Sequence, residues 1–115
     1  MLTIYGINNC DSVKKSKKWL TEEKIDFNYH DFRKDGLSSD KVDFWLTKLD
    51  WQVLLNKRGT SYRNLTDEVK SSLSADNIAA LLLENPTLIK RPVVELNEKV
   101  IVGFSAQSMT EFLEG

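Results

Sequence analysis

The chain has 115 residues, of which 41% are hydrophobic and 29% charged, a size and composition typical of one folded domain. Sixteen Lys and Arg residues against seventeen Asp and Glu give a net charge of -1, which argues against a domain that neutralises many nucleic-acid phosphates. The apolar runs are too short to span a membrane, and the first residues lack the pattern of a signal peptide. We therefore expect a cytoplasmic protein without a direct nucleic-acid or membrane partner.

The sequence contains one cysteine, Cys10. A single cysteine cannot form an intramolecular disulfide, and no spacing of His, Cys and carboxylate residues predicts the four ligands of a structural zinc ion. We expect no metal and no tightly bound cofactor.

The first 32 residues predict a strand, a helix and a second strand. The apolar run from Leu2 to Tyr5 predicts the first strand, and the turn formers at 6–9 predict a loop that ends at Cys10. Asp11 or Ser12 is the predicted N-cap of a helix that extends to about Lys24 and buries Val13, Ser16 and Leu20. Alternating side chains at 25–32 predict the second strand, parallel to the first.

The middle of the chain, about residues 38–85, reads as helical. Val42, Trp45, Leu46 and Leu49 have helical spacing, with Ser38 or Ser39 as the predicted N-cap. Shorter helices are predicted at about 51–55, at 67–72 after a Thr66 cap, and from Ser74 to Asn85-Pro86.

The last part predicts two strands and a helix. Strands at 93–96 and 99–102 flank Asn97-Glu98, a two-residue turn, and Ser105 is the predicted cap of the final helix. The order β-α-β, helical block, β-β-α predicts an α/β, thioredoxin-like fold with a four-stranded mixed sheet. We expect residues 1–115 to form one domain, with the helical block at about 38–85 as an insertion.

Cys10 is the candidate nucleophile because it lies at the predicted amino terminus of a helix. Free backbone N–H groups and the positive end of the helix dipole stabilise a thiolate there. Lys14, one turn into the helix, belongs to a lysine cluster that forms either a positive rim around the thiol or a solvated face. Val13 stands where a Cys-x-x-Cys motif has its second cysteine, so turnover requires an external thiol.

Four further residues bear on the candidate site. The Arg91-Pro92 peptide bond precedes a predicted strand, and the sequence is compatible with either a cis or a trans bond there. Arg58 lies in a predicted loop, where its guanidinium either binds an oxyanion or is an ordinary surface group. His30 lies on the second strand without a partner motif, and we expect it to be structural or solvent-facing rather than a base.

Three stretches of the chain carry a family resemblance: YGINNCDSVKKSKKWL, LLNKRGTSYRNL and NPTLIKRPVVELNEKVIVGFS. Together they resemble the arsenate-reductase-related ArsC/Spx/YffB family, and its short YffB-type members in particular. The resemblance implies a thioredoxin-like fold with a helical insertion, a cis Pro92 near the site, Cys10 as redox nucleophile and Arg91 as an anion-binding group. Either Arg58 or Asn56 matches a family arginine in the loop.

Two departures from the family pattern bear on function. Arsenate reductases have another arginine after the last strand, where this chain has Val102-Gly103-Phe104-Ser105, and the regulators have the Cys-x-x-Cys pair that Val13 breaks. We therefore favour a glutathione-dependent monothiol reductase, with Cys10 as nucleophile and Arg91, Arg58 and Lys14 as substrate-binding residues. The alternatives are an arsenate reductase coupled to glutathione and glutaredoxin, and a non-enzymatic, Spx-like protein-interaction regulator. The expected partners are glutathione or another small thiol and glutaredoxin, with the chain itself a monomer.

Overall fold

A computed structural model describes residues 2–7 and 10–114. By its contacts the chain divides into two compact units, one formed by residues 1–36 and 91–115 and the other by residues 37–90. Each unit has its own buried side chains.

The first unit is built on a four-stranded mixed sheet in the order β2-β1-β3-β4. Its strands are β1 (Leu2–Gly6), β2 (Phe27–Asp31), β3 (Val93–Leu96) and β4 (Lys99–Val102). β1 runs parallel to β2, whereas β1 with β3 and β3 with β4 are antiparallel pairs. Helices α1 (Asp11–Glu22) and α7 (Ala106–Glu114) complete the predicted β-α-β and β-β-α parts of the thioredoxin-like α/β fold.

One face of this sheet packs against α1 and α7. Because side chains alternate along a strand, Leu2, Ile4 and Val94 project to the same face. They form a buried cluster with helix residues Leu20, Met109 and Phe112. The predicted inner face of the first helix is confirmed, since Val13, Ser16 and Leu20 are its buried residues.

The hairpin between β3 and β4 is the predicted one. Asn97 adopts a φ of 58°, the left-handed conformation that asparagine tolerates better than most residues. Ser105 Oγ accepts a hydrogen bond of 3.0 Å from the Ser108 N–H, which confirms its predicted capping role before α7.

The second unit is helical in its described secondary structure apart from one isolated β-bridge, Leu55 with Ile89. Its elements are α2 (Ser39–Lys48), α3 (Trp51–Leu54), α4 (Thr60–Arg63), α5 (Asp67–Ser72), α6 (Ile78–Glu84) and a 3-10 turn (Pro86–Leu88). Ser38 and Thr66 cap α2 and α5 through their side-chain oxygens, as predicted. Trp45 is fully buried, as its position on the apolar face of α2 predicts.

Two predicted N-caps are wrong, and α4 is an element that the sequence pattern missed. α1 begins one or two residues earlier than the predicted caps Asp11 and Ser12 require, and Cys10 itself is its N-cap. Ser74 does not cap α6; its Oγ accepts from the Asp76 N–H in a local turn, and the helix begins after Asn77. The Thr60–Arg63 helix escaped prediction because a single turn of four residues carries no apolar period.

Candidate active site

Cys10 lies where the chain leaves the sheet and enters α1. Its backbone is extended, with φ -97° and ψ 122°, and its carbonyl oxygen accepts a 3.0 Å hydrogen bond from the Lys14 N–H in the first helical turn. The side chain makes no capping hydrogen bond and is a half-buried free thiol. The sulfur is therefore not used to hold the helix, and it lies at the helix end that favours negative charge.

Close packing of α1 on β1 sets the position of this helix end. A Cβ atom added to Gly6 would lie 2.5 Å from Val13 Cγ2, well inside van der Waals contact. Glycine at position 6, the last residue of β1, is therefore what allows Val13 to pack this closely. The loop that carries Cys10 thus starts from a tightly packed contact between strand and helix.

Arg91 and Pro92 lie at the same end of the sheet as Cys10. The register pairs Tyr5 with Val93, so the residues just before β3 lie beside the carboxyl end of β1. The Arg91-Pro92 peptide bond is cis, as the family resemblance implies, and Pro92 O accepts a 2.9 Å hydrogen bond from the Gly103 N–H. Arg91 is half-buried and Pro92 buried. Of the predicted site residues, Cys10, Arg91 and Pro92 are therefore brought to one sheet end.

The lysines of α1 have different surroundings. Lys14 and Lys15 are exposed, and neither side chain forms an ion pair, a hydrogen bond or a ring contact with a described residue. Lys18 lies 3.9 Å from a Glu22 carboxylate oxygen on the exposed surface, a contact of little energetic weight. Lys17 is half-buried, with its Nζ 4.0 Å from the centroid of the Tyr29 ring. Of these four lysines, Lys14 is the one nearest to Cys10 along the helix, and it is exposed.

Tyr29 is a site neighbour that sequence reasoning missed. Burial raises the pKa of Tyr29 to about 12, and the negative charges of Asp31, Cys10 and Asp35 act in the same direction. At neutral pH the phenol is therefore an uncharged hydroxyl. It lies close enough to Cys10 for a negative charge on the sulfur to act on it. Strand alternation places Tyr29 and Asp31 on one face, but no sequence rule predicts that Lys17 of another element lies over the ring.

Asp31 is a second missed residue. It is buried and pairs with Gly6 in the β1–β2 register, at the end of the sheet from which the Cys10 loop departs. Its Oδ1 accepts hydrogen bonds from the N–H groups of Arg33, at 2.8 Å, and Lys34, at 3.2 Å. This carboxylate holds the turn after β2 and contributes negative charge to the site.

Arg58 lies in the second unit, on the loop between α3 and α4. It is exposed, and its backbone N–H donates to Asn56 Oδ1 at 3.2 Å. Its assignment to substrate binding stays a prediction. His30 lies on the opposite face of β2 from Tyr29, where its ring is 5.1 Å from that of Tyr5 and its Nε2 is 2.7 Å from Gly36 O. These contacts agree with a structural role.

Comparison with known proteins identifies the family. The model of the ArsC family matches residues 5–112. A protein of Haemophilus influenzae described as uncharacterized is 47% identical over 105 residues, which cover 91% of this chain and 92% of that protein. The global transcriptional regulator Spx 2 of Lactococcus lactis subsp. lactis is 30% identical, over 98% of this chain and 86% of its own. The chain belongs to the ArsC family.

Solved structures agree with this assignment and with the thioredoxin-like fold. The YffB (PA3664) protein has a TM-score of 0.91 and 34% identity, with 96% of this chain and 97% of that one covered. An arsenate reductase related protein from Brucella melitensis has a TM-score of 0.80 and 38% identity, with 99% and 95% covered. In the part of the chain that the structure describes, no helix is both long and apolar enough to cross a membrane.

Proposed function

We propose that this ArsC-family protein is a glutathione-dependent monothiol reductase with Cys10 as its nucleophile. The observation that carries the proposal is the position of Cys10 as N-cap of α1, with a side chain free of capping bonds, at the sheet end that it shares with Arg91. The chain has no second cysteine, so the resolving thiol must come from outside. Family membership supports thiol-dependent reduction as the reaction class.

The reaction balances with glutathione as the only other reactant. The Cys10 thiolate attacks the glutathione sulfur of a mixed disulfide between substrate and glutathione, the disulfide bond breaks, and the substrate thiolate leaves and takes a proton from water. A second glutathione thiolate then attacks the glutathione sulfur bound to Cys10. Oxidised glutathione leaves with its new disulfide bond, and Cys10 returns as thiolate. One disulfide is reduced and one is formed.

Positive groups around Cys10 suit an anionic co-substrate. Glutathione carries two carboxylates, which Arg91 and Lys14 at the thiol end of the first unit would bind as charge-assisted hydrogen-bond donors. Arg58 of the second unit is the third proposed anion-binding residue. Glutaredoxin is a proposed alternative thiol partner. A reducing compartment such as the cytoplasm suits a mechanism that depends on free thiols, and the mechanism requires no more than a monomer.

The test is turnover of a glutathione mixed disulfide by the purified protein. We expect oxidised glutathione to form in proportion to enzyme, Cys10→Ser to abolish turnover, and intact mass spectrometry to detect one glutathione on Cys10 when reduced glutathione is limiting. Conversion of Ser12 to Ala, two residues away in α1, is the matched control and should retain turnover. Turnover that persists in Cys10→Ser would refute the mechanism.

Arsenate reduction is the second candidate, favoured by the 38% identity to an arsenate reductase related protein. Two glutathiones would reduce arsenate to arsenite, with oxidised glutathione and water as the other products. The Val102-Gly103-Phe104-Ser105 segment lacks an arginine, and we expect the loss of such a contact to weaken oxyanion binding by about 1.5–3 kcal/mol. Arsenite formation in the presence of glutathione and glutaredoxin decides between the two substrates.

A regulator that acts by protein binding is the third candidate, favoured by the 30% identity to a global transcriptional regulator. The Cys10→Ser variant distinguishes this candidate from both enzymes. A protein partner would still be captured by the Cys10→Ser variant, whereas thiol turnover would be lost.

A further inference from the structure

We propose that a basic groove of the second unit binds an acidic peptide segment. The groove is a shallow cavity of about 300 Å³, and its lining includes Val53, Asn56 and three cations, Lys57, Arg58 and Lys90. Among the described residues, no Asp or Glu lines it. The groove therefore concentrates positive charge on a chain whose net charge is -1. This inference goes beyond the Cys10 reaction: the groove shares Arg58 with the residues proposed to bind the co-substrate, whereas Val53, Lys57 and Lys90 have no role in that reaction.

The three cations of the groove are not neutralised by the protein. All are exposed, and no described residue forms an ion pair or a hydrogen bond with their charged side-chain groups. Other lysines differ, since Lys17 lies over the Tyr29 ring and the Lys99 Nζ donates to Phe112 O at 3.0 Å. Like charges held together repel one another, and a bound anion relieves that repulsion.

The walls of the groove are tied together by backbone hydrogen bonds. The Asn56 N–H donates to Leu88 O at 2.7 Å, and the Lys90 N–H donates to Leu54 O at 2.8 Å. The leucines at both ends of this pairing, Leu54 and Leu88, are fully buried. The segment before Arg58 and the segment that carries Lys90 are thus fixed relative to each other, which lowers the entropic cost of binding a ligand between them.

An apolar contact favours a peptide over a simple anion. Val53 is 47% exposed, an unusual exposure for a large aliphatic side chain in this structure, and it lines the groove beside the cations. A segment with carboxylates on either side of an apolar residue would satisfy both features, because Arg and Lys donate to carboxylates while the apolar side chain covers Val53. Inorganic phosphate would satisfy only the charges.

The test is an NMR titration of the full-length, ¹⁵N-labelled protein with a blocked pentapeptide of four glutamates around a central leucine. We expect saturable shifts clustered at the amides of Val53, Asn56, Lys57 and Lys90, weaker binding at higher salt, and no such cluster with the matched peptide of four glutamines. Inorganic phosphate is the third probe. Equal shifts with phosphate, equal shifts with the glutamine peptide, or shifts spread over the α1 lysines would overturn the proposal.

Charge-neutralised variants test the location. The double variant Lys57→Gln with Lys90→Gln should bind the glutamate peptide about tenfold more weakly. Its matched control, Lys15→Gln with Lys18→Gln on α1, loses the same charge and should bind as the wild type does. An equal loss of peptide affinity in the two double variants would refute the groove as the binding site. Cys10→Ser should retain peptide binding whatever its turnover, so a failure of the groove is distinguishable from a failure of the thiol mechanism.

Discussion

The Lys17 ammonium of α1 lies 4.0 Å from the centroid of the Tyr29 ring on β2. The contact joins the helix that Cys10 caps to the strand that ends at Asp31. A cation over a partly buried ring contributes about 0.5–2 kcal/mol. Tyr29 is thereby held on the sheet face beneath α1, within the electrostatic influence of the thiol.

Tyr29 should lose its proton at a higher pH than an ordinary tyrosine does. Burial and the nearby negative charges raise its pKa to about 12, against an unfolded value of 10.0. Because the folded state retains this proton longer than the unfolded state, the contribution of Tyr29 to stability is constant below about pH 10 and falls as the pH rises towards 12. Ultraviolet absorbance of phenolate against pH measures the transition, and Tyr29→Phe should remove a component near pH 12. Loss of a component near pH 10 instead would contradict the prediction.

Gly6→Ala should destabilise the protein by about 1–3 kcal/mol, because the new methyl group overlaps Val13 Cγ2. Urea unfolding measures the change. The double variant with Val13→Ala is the control, since removal of the Val13 methyl groups makes room for the new one. The cost of Gly6→Ala should be smaller in that background. Additive effects would show that the Gly6–Val13 contact is not the cause.

Lys24→Gly should stabilise the protein by about 0.5–1 kcal/mol, although it removes a side chain. Lys24 follows α1 with a φ of 58°, and the N–H of the next residue, Ile25, donates to Leu20 O at 2.9 Å to close the helix end. Glycine adopts this left-handed conformation without strain. Glu23→Gly, at φ -84°, is the matched control and should not stabilise. Thermal unfolding of the two variants should move their midpoints in opposite directions.

Arg91→Ala should raise the KM for glutathione about tenfold or more if Arg91 binds a carboxylate of the co-substrate, since a charge-assisted hydrogen bond contributes about 1.5–3 kcal/mol. Arg91→Lys, which retains the charge without the planar fork, should show a smaller increase. Arg63→Ala removes an exposed arginine of α4 and is the control for net charge. An unchanged KM in Arg91→Ala would remove the assigned role.

Local sequence signals determined most elements of this fold. The apolar run of β1, the alternation in β2, the positive φ of Asn97 and the hydroxyl caps at Ser38, Thr66 and Ser105 are decided by neighbours within a few residues, and they were predictable for that reason. The N-cap of α1 was misplaced by one or two residues because Asp11 and Ser12 have better intrinsic capping side chains than Cys10. Packing of Val13 against Gly6 accompanies the earlier start of the helix.

The sequence by itself determined that the chain has one thiol, at the amino end of a helix, with no resolving cysteine at Val13. Only the tertiary structure decided what surrounds that thiol. Strand register placed Asp31 and the Arg91-Pro92 segment at its end of the sheet, and helix packing placed Lys17 over Tyr29. These groups are separated along the chain by up to about 80 residues, from Cys10 to Arg91. Their contacts depend on how the sheet and helices pack, which no local pattern encodes.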